Sequence, residues 1–223
     1  MTNMRAARTR AGLTQGQLAA RLGVSQAYLS MLEAGRRAPS AALARRLARE
    51  LALSPVSLPL ENLAVLSPDA TARALAGVGY PGLAYLKTKR PQNPATLLLG
   101  ALANPRLEGR LVEALPWVAF RYPDLDWDWL IGRVKQGDLQ NRLGYVVHLA
   151  FELAMHRQLA ETAAKLDAVV QQLGRAKLAR EDTLSEESMT NAERRWLHDH
   201  RPAAAAAWNV LSDLTSEQLL HVD

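Results

Sequence analysis

A short helix that begins at Ser25 carries small polar side chains on its expected outer face. A helix of this kind fits the major groove of duplex DNA, where the hydrogen-bonding groups and methyl groups of the bases are accessible. The chemistry that this segment predicts is therefore recognition of bases, with no covalent step. The alternative interpretation is an ordinary solvent-exposed helical face.

Three further helices are predicted to hold this one in place. Thr14 and Gln17 have the spacing of a capping box at the start of the preceding helix, and Gly23 permits the positive φ of a tight turn. A helix, a short turn that contains glycine and a second helix make the helix-turn-helix pattern. We expect the flanking helices over residues 4–10 and 41–51, with glycines or prolines at their ends.

Positive charge is concentrated in this part of the chain. The whole chain has a net charge of +5. Residues 1–55 contain nine arginines and two acidic residues, whereas the remainder contains 18 basic and 20 acidic residues. Contacts between basic side chains and phosphates supply much of the affinity of proteins for DNA. The distribution favours nucleic-acid binding by the N-terminal segment, with an arginine-rich solvated surface as the alternative.

The residues that carry a family resemblance lie at fixed spacing without a gap. Residues 3–55 are similar to the lambda-repressor-like, Xre/Cro-type DNA-binding domain at Arg5, Gly12-Leu13-Thr14-Gln15, Leu18-Ala19, Leu22-Gly23-Val24-Ser25, Leu29, Glu33, Gly35 and Pro39-Ser40. The resemblance implies a compact bundle of four or five helices that binds double-stranded DNA.

The resemblance also implies a role for individual residues. Gln26 would read a base, since a glutamine amide can form two hydrogen bonds with adenine, and Ala27 would contact a thymine methyl group. Ser30 and Met31 follow one turn later on the side that faces the groove. Residues expected to contact phosphates are Gln15, Arg10, Arg36, Arg37 and Tyr28, for which packing inside the domain is the alternative; Glu33 is expected to cap a helix or to pair with an arginine.

The rest of the chain is predicted to be helical after a connecting region. We expect a helix-turn-helix domain over residues 1–57, a connection rich in proline over 58–93 with one short helix from Pro68, and an all-helical dimerisation or partner-binding domain over 94–223. The fold class is all-α, with no strand pair. Helices are predicted over residues 95–103, 106–121 with a kink or split at Pro116, 124–131, 138–157 with a continuation to 173, 185–200 and 203–214, and a last short one after Thr215.

No arrangement of residues typical of an enzyme is found. Asp124, Asp126 and Asp128 are two residues apart, so they do not share a helical face, and the five histidines are scattered. Lys87 to Arg90 form a basic cluster, either a phosphate contact or a solvated loop. We expect no enzymatic activity, no cofactor and no metal. With no cysteine, no signal peptide and no membrane span in the sequence, we expect a cytoplasmic protein.

A second, looser resemblance concerns residues 80–157. Leu115-Pro116-Trp117, the segment from Asp124 to Leu130 and the segment from Asp138 to Gly144 are similar to C-terminal regions of Xre-type regulators in bacterial toxin–antitoxin or abortive-infection operons. This resemblance implies that the larger domain binds another protein. Together with the motif, the charge distribution and the size of the apolar remainder, it favours a repressor that is the antitoxin-type autoregulator of its operon, with a cognate toxin as the expected partner. A homodimer is expected because symmetric dimers suit palindromic operators. The alternative is a ligand-sensing regulator with a small-molecule pocket near Trp117, Trp127 and Trp129, residues that would otherwise anchor a core or an interface.

Overall fold

The computed structural model describes residues 4–61, 65–86, 91–184 and 188–219, and these are mostly helical, which confirms the all-α fold class. The chain divides into two compact units, Met1–Leu60 and Glu61–Asp223. Residues 65–86, which were predicted to belong to the connecting region over 58–93, are part of the second unit. No helix within the described ranges is long and apolar enough to cross a membrane.

The first unit is a bundle of four helices whose ends follow the capping residues of the sequence. Side chains of Thr14, Ser25 and Ser40 accept hydrogen bonds from the first turns of the helices that they precede, and Thr14 and Gln17 form the predicted capping box. The helices are α1 (Met4–Arg10), α2 (Gln15–Leu22), α3 (Gln26–Glu33) and α4 (Ala41–Glu50), followed by a 3-10 turn at Pro55–Ser57.

Leucines from three of these helices fill the core of the first unit. Leu18 and Leu22 of α2 meet Leu29 and Leu32 of α3, and all four side chains are inaccessible to solvent. Each buried leucine contributes roughly 1.5–3 kcal/mol relative to an exposed one. Because α2 and α3 share these contacts, the outer face of α3 has a fixed orientation.

The second unit is built around one long helix. Gln140–His156 (α10) packs against the helices on either side of it in sequence, and most of its residues are buried. The elements of this unit are α5 (Pro68–Gly77), α6 (Pro94–Leu102), α7 (Gly109–Val112), α8 (Ala114–Arg121), α9 (Trp127–Gln136), α10, α11 (Ala160–Gly174), β1 (Asp182–Thr183), α12 (Asn191–His200), α13 (Ala203–Ala207) and β2 (Val210–Leu211), with 3-10 turns at Pro81–Leu83 and Ser216–Gln218.

Polar side chains at the start of α10 hold a segment that is distant in sequence. The Asn141 amide donates to the carbonyl oxygens of Leu178 and Arg180 and accepts from the Leu178 amide, while Arg142 forms a two-pronged ion pair with Asp182. Both members of the ion pair are nearly buried. These contacts place β1 beside α10 and account for buried polar groups at this position.

The helix predicted over residues 106–121 begins later than expected, because Asn104 closes a turn in front of it. Its amide nitrogen donates to the Leu66 carbonyl oxygen at 2.7 Å, and its oxygen accepts from the Arg106 amide at 2.8 Å. This closes a turn, and the helix begins only at α7. The predicted split is confirmed: Pro116 lies in the first turn of α8, where a missing N–H group is tolerated.

Two other predicted helices are shorter than expected. The continuation of α10 to residue 173 is wrong because Gln158 adopts a left-handed φ of 56°, which ends α10 and allows α11 to start in a new direction. Asn209, with φ of 52°, likewise leads the chain out of α13, and β2 then pairs in parallel with β1. The expectation that no strand pair forms was therefore wrong, because the two residues of β1 pair with the two residues of β2.

The helix predicted over residues 185–200 begins later, at Asn191. Thr190 and Glu193 form a reciprocal capping box, in which the threonine hydroxyl accepts from the Glu193 amide and the glutamate accepts from the Thr190 amide at 2.7 Å. The first residues of that predicted helix, 185–187, and the basic cluster Lys87 to Arg90 lie outside the described residues.

Candidate nucleic-acid interface

Helix α3 has one buried face and one exposed face. Leu29 and Leu32 point into the core, whereas Gln26, Ala27 and Ser30 are exposed. The four side chains predicted to contact bases are thus brought together on α3: the three exposed ones and Met31, which is half-buried. Contact with bases remains a prediction.

The side chain of Gln26 lies close to Gly16 of α2, a contact that the sequence did not predict. The Gln26 Oε1 atom lies 3.7 Å from the point where a Cβ on Gly16 would stand. The amide of Gln26 therefore lies beside the first turn of α2.

Glu33, at the end of α3, connects α1 and α2 to this helix. Its carboxylate accepts from the Nε of Arg8 at 2.6 Å and from the amide nitrogen of Gln15 at 2.8 Å. The Arg8 guanidinium also donates to the Leu13 carbonyl oxygen at 2.7 Å. The expected pairing of Glu33 with an arginine inside the domain is confirmed, and Arg8 is the partner that the sequence could not identify.

The same contacts determine the acidity of Glu33. Burial opposes ionisation of this carboxyl group, but the hydrogen bonds from Arg8 and Gln15, together with the positive charge of Arg8, lower its pKa below the ordinary value of 4.5. Glu33 is therefore ionised at neutral pH. The Gln15 side chain braces α3 through this carboxylate, and the phosphate contact expected of Gln15 remains a prediction.

Acid is expected to weaken the first unit through Glu33. The pKa of Glu33 is lower in the folded state than the value of 4.5 in the unfolded chain. Such a group stabilises the folded state when the pH is above 4.5, and this stabilisation is lost as the pH falls through the pKa of the folded state. In Glu33→Gln, acid unfolding of the first unit should therefore depend less steeply on pH below about 4.5. The measurement is urea unfolding at several pH values, with far-ultraviolet circular dichroism as the readout.

A matched variant controls this experiment. Glu50 is the other carboxylate in residues 1–55, and its contact with Arg21 is long, at 3.9 Å, and largely exposed. Such surface pairs contribute about 0–1 kcal/mol, so Glu50→Gln should change the free energy of unfolding of the first unit little. Equal pH dependence for Glu33→Gln and wild type would show that the Arg8–Glu33 contact is not linked to protonation.

Several arginines of the first unit are exposed. Arg10 at the end of α1, and Arg36 and Arg37 just after α3, are exposed and form no ion pair within the described residues. Their charges are available to an anion. Tyr28 is half-buried and packs partly against the core, so the packing role left open for it is observed, whereas a phosphate contact remains a prediction.

Arg46 also contributes charge near the turn between α2 and α3. Its guanidinium donates to the Arg21 carbonyl oxygen at 3.2 Å and its side chain is exposed. A cation near the last carbonyl groups of α2 favours the helix dipole. The basic surface of the first unit therefore extends beyond the arginines that the resemblance identified.

The acidic residues around the tryptophans of the second unit have structural contacts. Asp126 caps α9 by accepting from the Trp129 amide, and Asp124 forms an ion pair with Lys165 at 2.8 Å. The Trp117 ring is buried and packs edge-on against Tyr80 and Tyr122. Within the ranges that the structure describes, no three histidine, aspartate or glutamate side chains gather as metal ligands would.

Comparison with known proteins agrees with the geometry of the first unit. Residues 4–58 match a family model described as helix-turn-helix, so this unit is a helix-turn-helix domain of the Xre/lambda-repressor-like type. No curated protein and no solved structure matches the chain. The presence of this domain supports a function in DNA-binding transcriptional regulation. Regulators with this type of domain are generally not enzymes.

Proposed function

We propose that this protein is a sequence-specific transcriptional repressor that binds palindromic operators as a homodimer. The observation that carries the proposal is the outer face of α3, where Gln26, Ala27 and Ser30 are exposed. Arg36 and Arg37, just after this helix, are also exposed and form no ion pair among the described residues. A helix in the major groove with cations on either side contacts bases and phosphates together. Binding at a promoter would exclude RNA polymerase.

The small number of polar atoms on α3 favours a dimer. Gln26 and Ser30 are the hydrogen-bonding side chains among the four proposed to meet bases, whereas Ala27 and Met31 offer apolar contacts. One copy would read few base pairs. Two copies on half-sites separated by about 34–36 Å, together with the shape of the DNA between them, would supply the remaining specificity.

We further propose that the second unit binds a protein partner, the toxin of an operon that this repressor controls. The support is the resemblance over residues 80–157 and a folded unit larger than DNA binding requires. A ligand pocket among the tryptophans is less favoured, because Trp117 fills its surroundings with Tyr80 and Tyr122 at ring-centroid distances of 5.3 and 6.3 Å.

Binding to the DNA upstream of its own gene tests the repressor proposal. Fluorescence anisotropy across a salt series should show tight binding to that DNA, weaker binding to a scrambled duplex, and a logarithmic affinity that falls with logarithmic salt concentration. Light scattering of the complex should give two chains per operator. Equal affinity for both duplexes at every salt concentration would reject sequence-specific recognition, and one chain per operator would reject the homodimer.

Gln26→Ala is expected to reduce specific binding by about 1–3 kcal/mol while binding to scrambled DNA changes little. The reason is that the proposed amide contact with a base edge is lost, whereas the phosphate contacts remain. The ratio of the two affinities, measured at one salt concentration, is the readout. An equal loss on both duplexes would assign Gln26 to the phosphate backbone.

Arg36→Ala is expected to weaken binding to operator and scrambled DNA alike, and to make the salt dependence shallower by about one unit of slope. The exposed guanidinium is proposed to neutralise one phosphate. Arg73→Ala is the matched control, since Arg73 is an exposed arginine of α5 in the second unit. A change in sequence preference without a change in slope would contradict the role proposed for Arg36.

A further inference from the structure

A large open groove lies on the second unit between α7, α12 and the segment after β2. Its volume is about 810 Å³. Buried leucines line its floor, and Leu197 of α12, which is half-buried, forms part of one wall. The apolar lining includes Leu107, Val112, Leu184, Met189, Leu197 and Leu214.

Carboxylates line the rim of this groove. Glu108, Glu113, Asp213 and Glu217 are exposed, and no lysine, arginine or histidine occurs among the described residues that line it. Glu108 pairs with Arg110 at 2.8 Å, whereas the other three form no ion pair within the described part of the chain. An apolar floor between unpaired negative charges is complementary to a ligand that is both apolar and cationic.

We infer that the groove binds a cationic amphipathic helix of a protein partner. Such a helix would place its apolar stripe on the leucines and its lysines or arginines beside the three unpaired carboxylates. A small cation fits less well, because sites for small molecules enclose about 70–90% of the ligand surface and this groove is open on one side. The inference deepens the proposal that the second unit binds a partner, and it rests on that proposal.

Peptide binding to the full-length protein tests the inference. The probe is a fluorescently labelled peptide of about 18 residues, which spans about 27 Å as a helix, with leucines on one face and lysines on the other. A second peptide has glutamates in place of the lysines. We expect the basic peptide to bind at low salt with anisotropy that saturates, and the acidic peptide to bind at least about tenfold more weakly.

Two charge-matched variants locate the binding. Glu113→Gln, Asp213→Asn and Glu217→Gln together remove the unpaired rim charges, and this triple variant should bind the basic peptide about tenfold more weakly than wild type. The control variant combines Asp128→Asn, Glu161→Gln and Asp167→Asn, which change the net charge equally at positions that do not line the groove. Its affinity should stay within about twofold of wild type. Circular dichroism verifies that both variants are folded.

Other results would overturn the inference. Equal losses in the two variants would indicate non-specific attraction to an acidic protein, and complete displacement of the peptide by spermidine at comparable concentration would identify the groove as a small-cation site. Absence of peptide binding by the folded protein would reject the groove as a helix site. Binding of the upstream DNA, measured on the same samples, separates these failures from failure of the repressor proposal, because the groove lies in the second unit.

Discussion

Replacing Arg8 with alanine is expected to lower the free energy of unfolding of the first unit by about 3–5 kcal/mol, because it leaves a buried carboxylate without its cation. The side chains of Arg8 and Glu33 are 12% and 3% exposed. After the substitution only Gln15 would donate a side-chain hydrogen bond to Glu33. Native proteins have roughly 0.05–0.15 kcal/mol of stability per residue, so a unit as small as this one would lose most of its stability.

Hydrogen exchange measured by mass spectrometry can locate this effect. All five tryptophans lie at or after residue 117, so tryptophan fluorescence reports the second unit and should change little in Arg8→Ala. Amides of α2 and α3 should exchange at least about a hundredfold faster, as a loss of this size implies. DNA binding should fall for all sequences, because the domain that makes every contact is partly unfolded.

A double substitution distinguishes loss of a charge partner from loss of packing. Arg8→Met with Glu33→Leu replaces the ion pair by two apolar side chains of similar volume, a change that is often neutral or stabilising. We expect it to restore most of the protection of α2 and α3. If Arg8→Ala left their exchange unchanged, the ion pair would be solvent-screened and its burial would have no energetic consequence.

The first unit was predictable because its signals are local. Thr14, Ser25 and Ser40 each cap a helix within three residues, and Gly23 adopts the left-handed φ of 64° that the turn between α2 and α3 requires. Apolar residues at helical spacing agree with these ends. The outward face of α3 followed from the same pattern, since burying Leu29 and Leu32 leaves the other side exposed.

The remaining features depend on partners far along the chain. Asn104 resembles a helix cap in sequence, but its amide is engaged by Leu66, 38 residues away. Asn141 and Arg142 look like ordinary residues of an amphipathic helix until the segment over 178–182 packs beside them. Arg8 was one of nine arginines in its segment, and only the packing of α1 against α3 identifies it as the partner of Glu33.

The two proposed binding surfaces also differ in how far the sequence revealed them. The DNA-binding face is formed by one helix and its flanks, so its residues are close in sequence. The acidic groove collects residues from 107–113 and 211–218 together with Leu184, Met189 and Leu197, which only the fold brings together. The two proposed binding surfaces therefore lie in different units of the chain.

The second large effect is expected for Gly144→Ala in the middle of α10. A Cβ at this position would stand 2.1–2.5 Å from three ring atoms of Trp208, far inside van der Waals contact. The indole is 3% exposed, and its Nε1 donates to His148 Nδ1 at 3.1 Å, so the ring has no free space to move. We expect a loss of about 3 kcal/mol or more in the free energy of unfolding of the second unit.

Tryptophan fluorescence during urea unfolding measures this loss, and Gly132→Ala is the control. Gly132 lies in α9 with no atom within 4 Å of its Cβ position, so alanine there should stabilise the helix by about 0.5–1 kcal/mol. Opposite signs for two glycine-to-alanine changes would separate the close approach of Trp208 from helix propensity. Trp208→Leu should relieve part of the clash when combined with Gly144→Ala, since overlapping side chains couple in a double-mutant cycle. Additive effects of the two substitutions would contradict direct contact between the glycine and the indole.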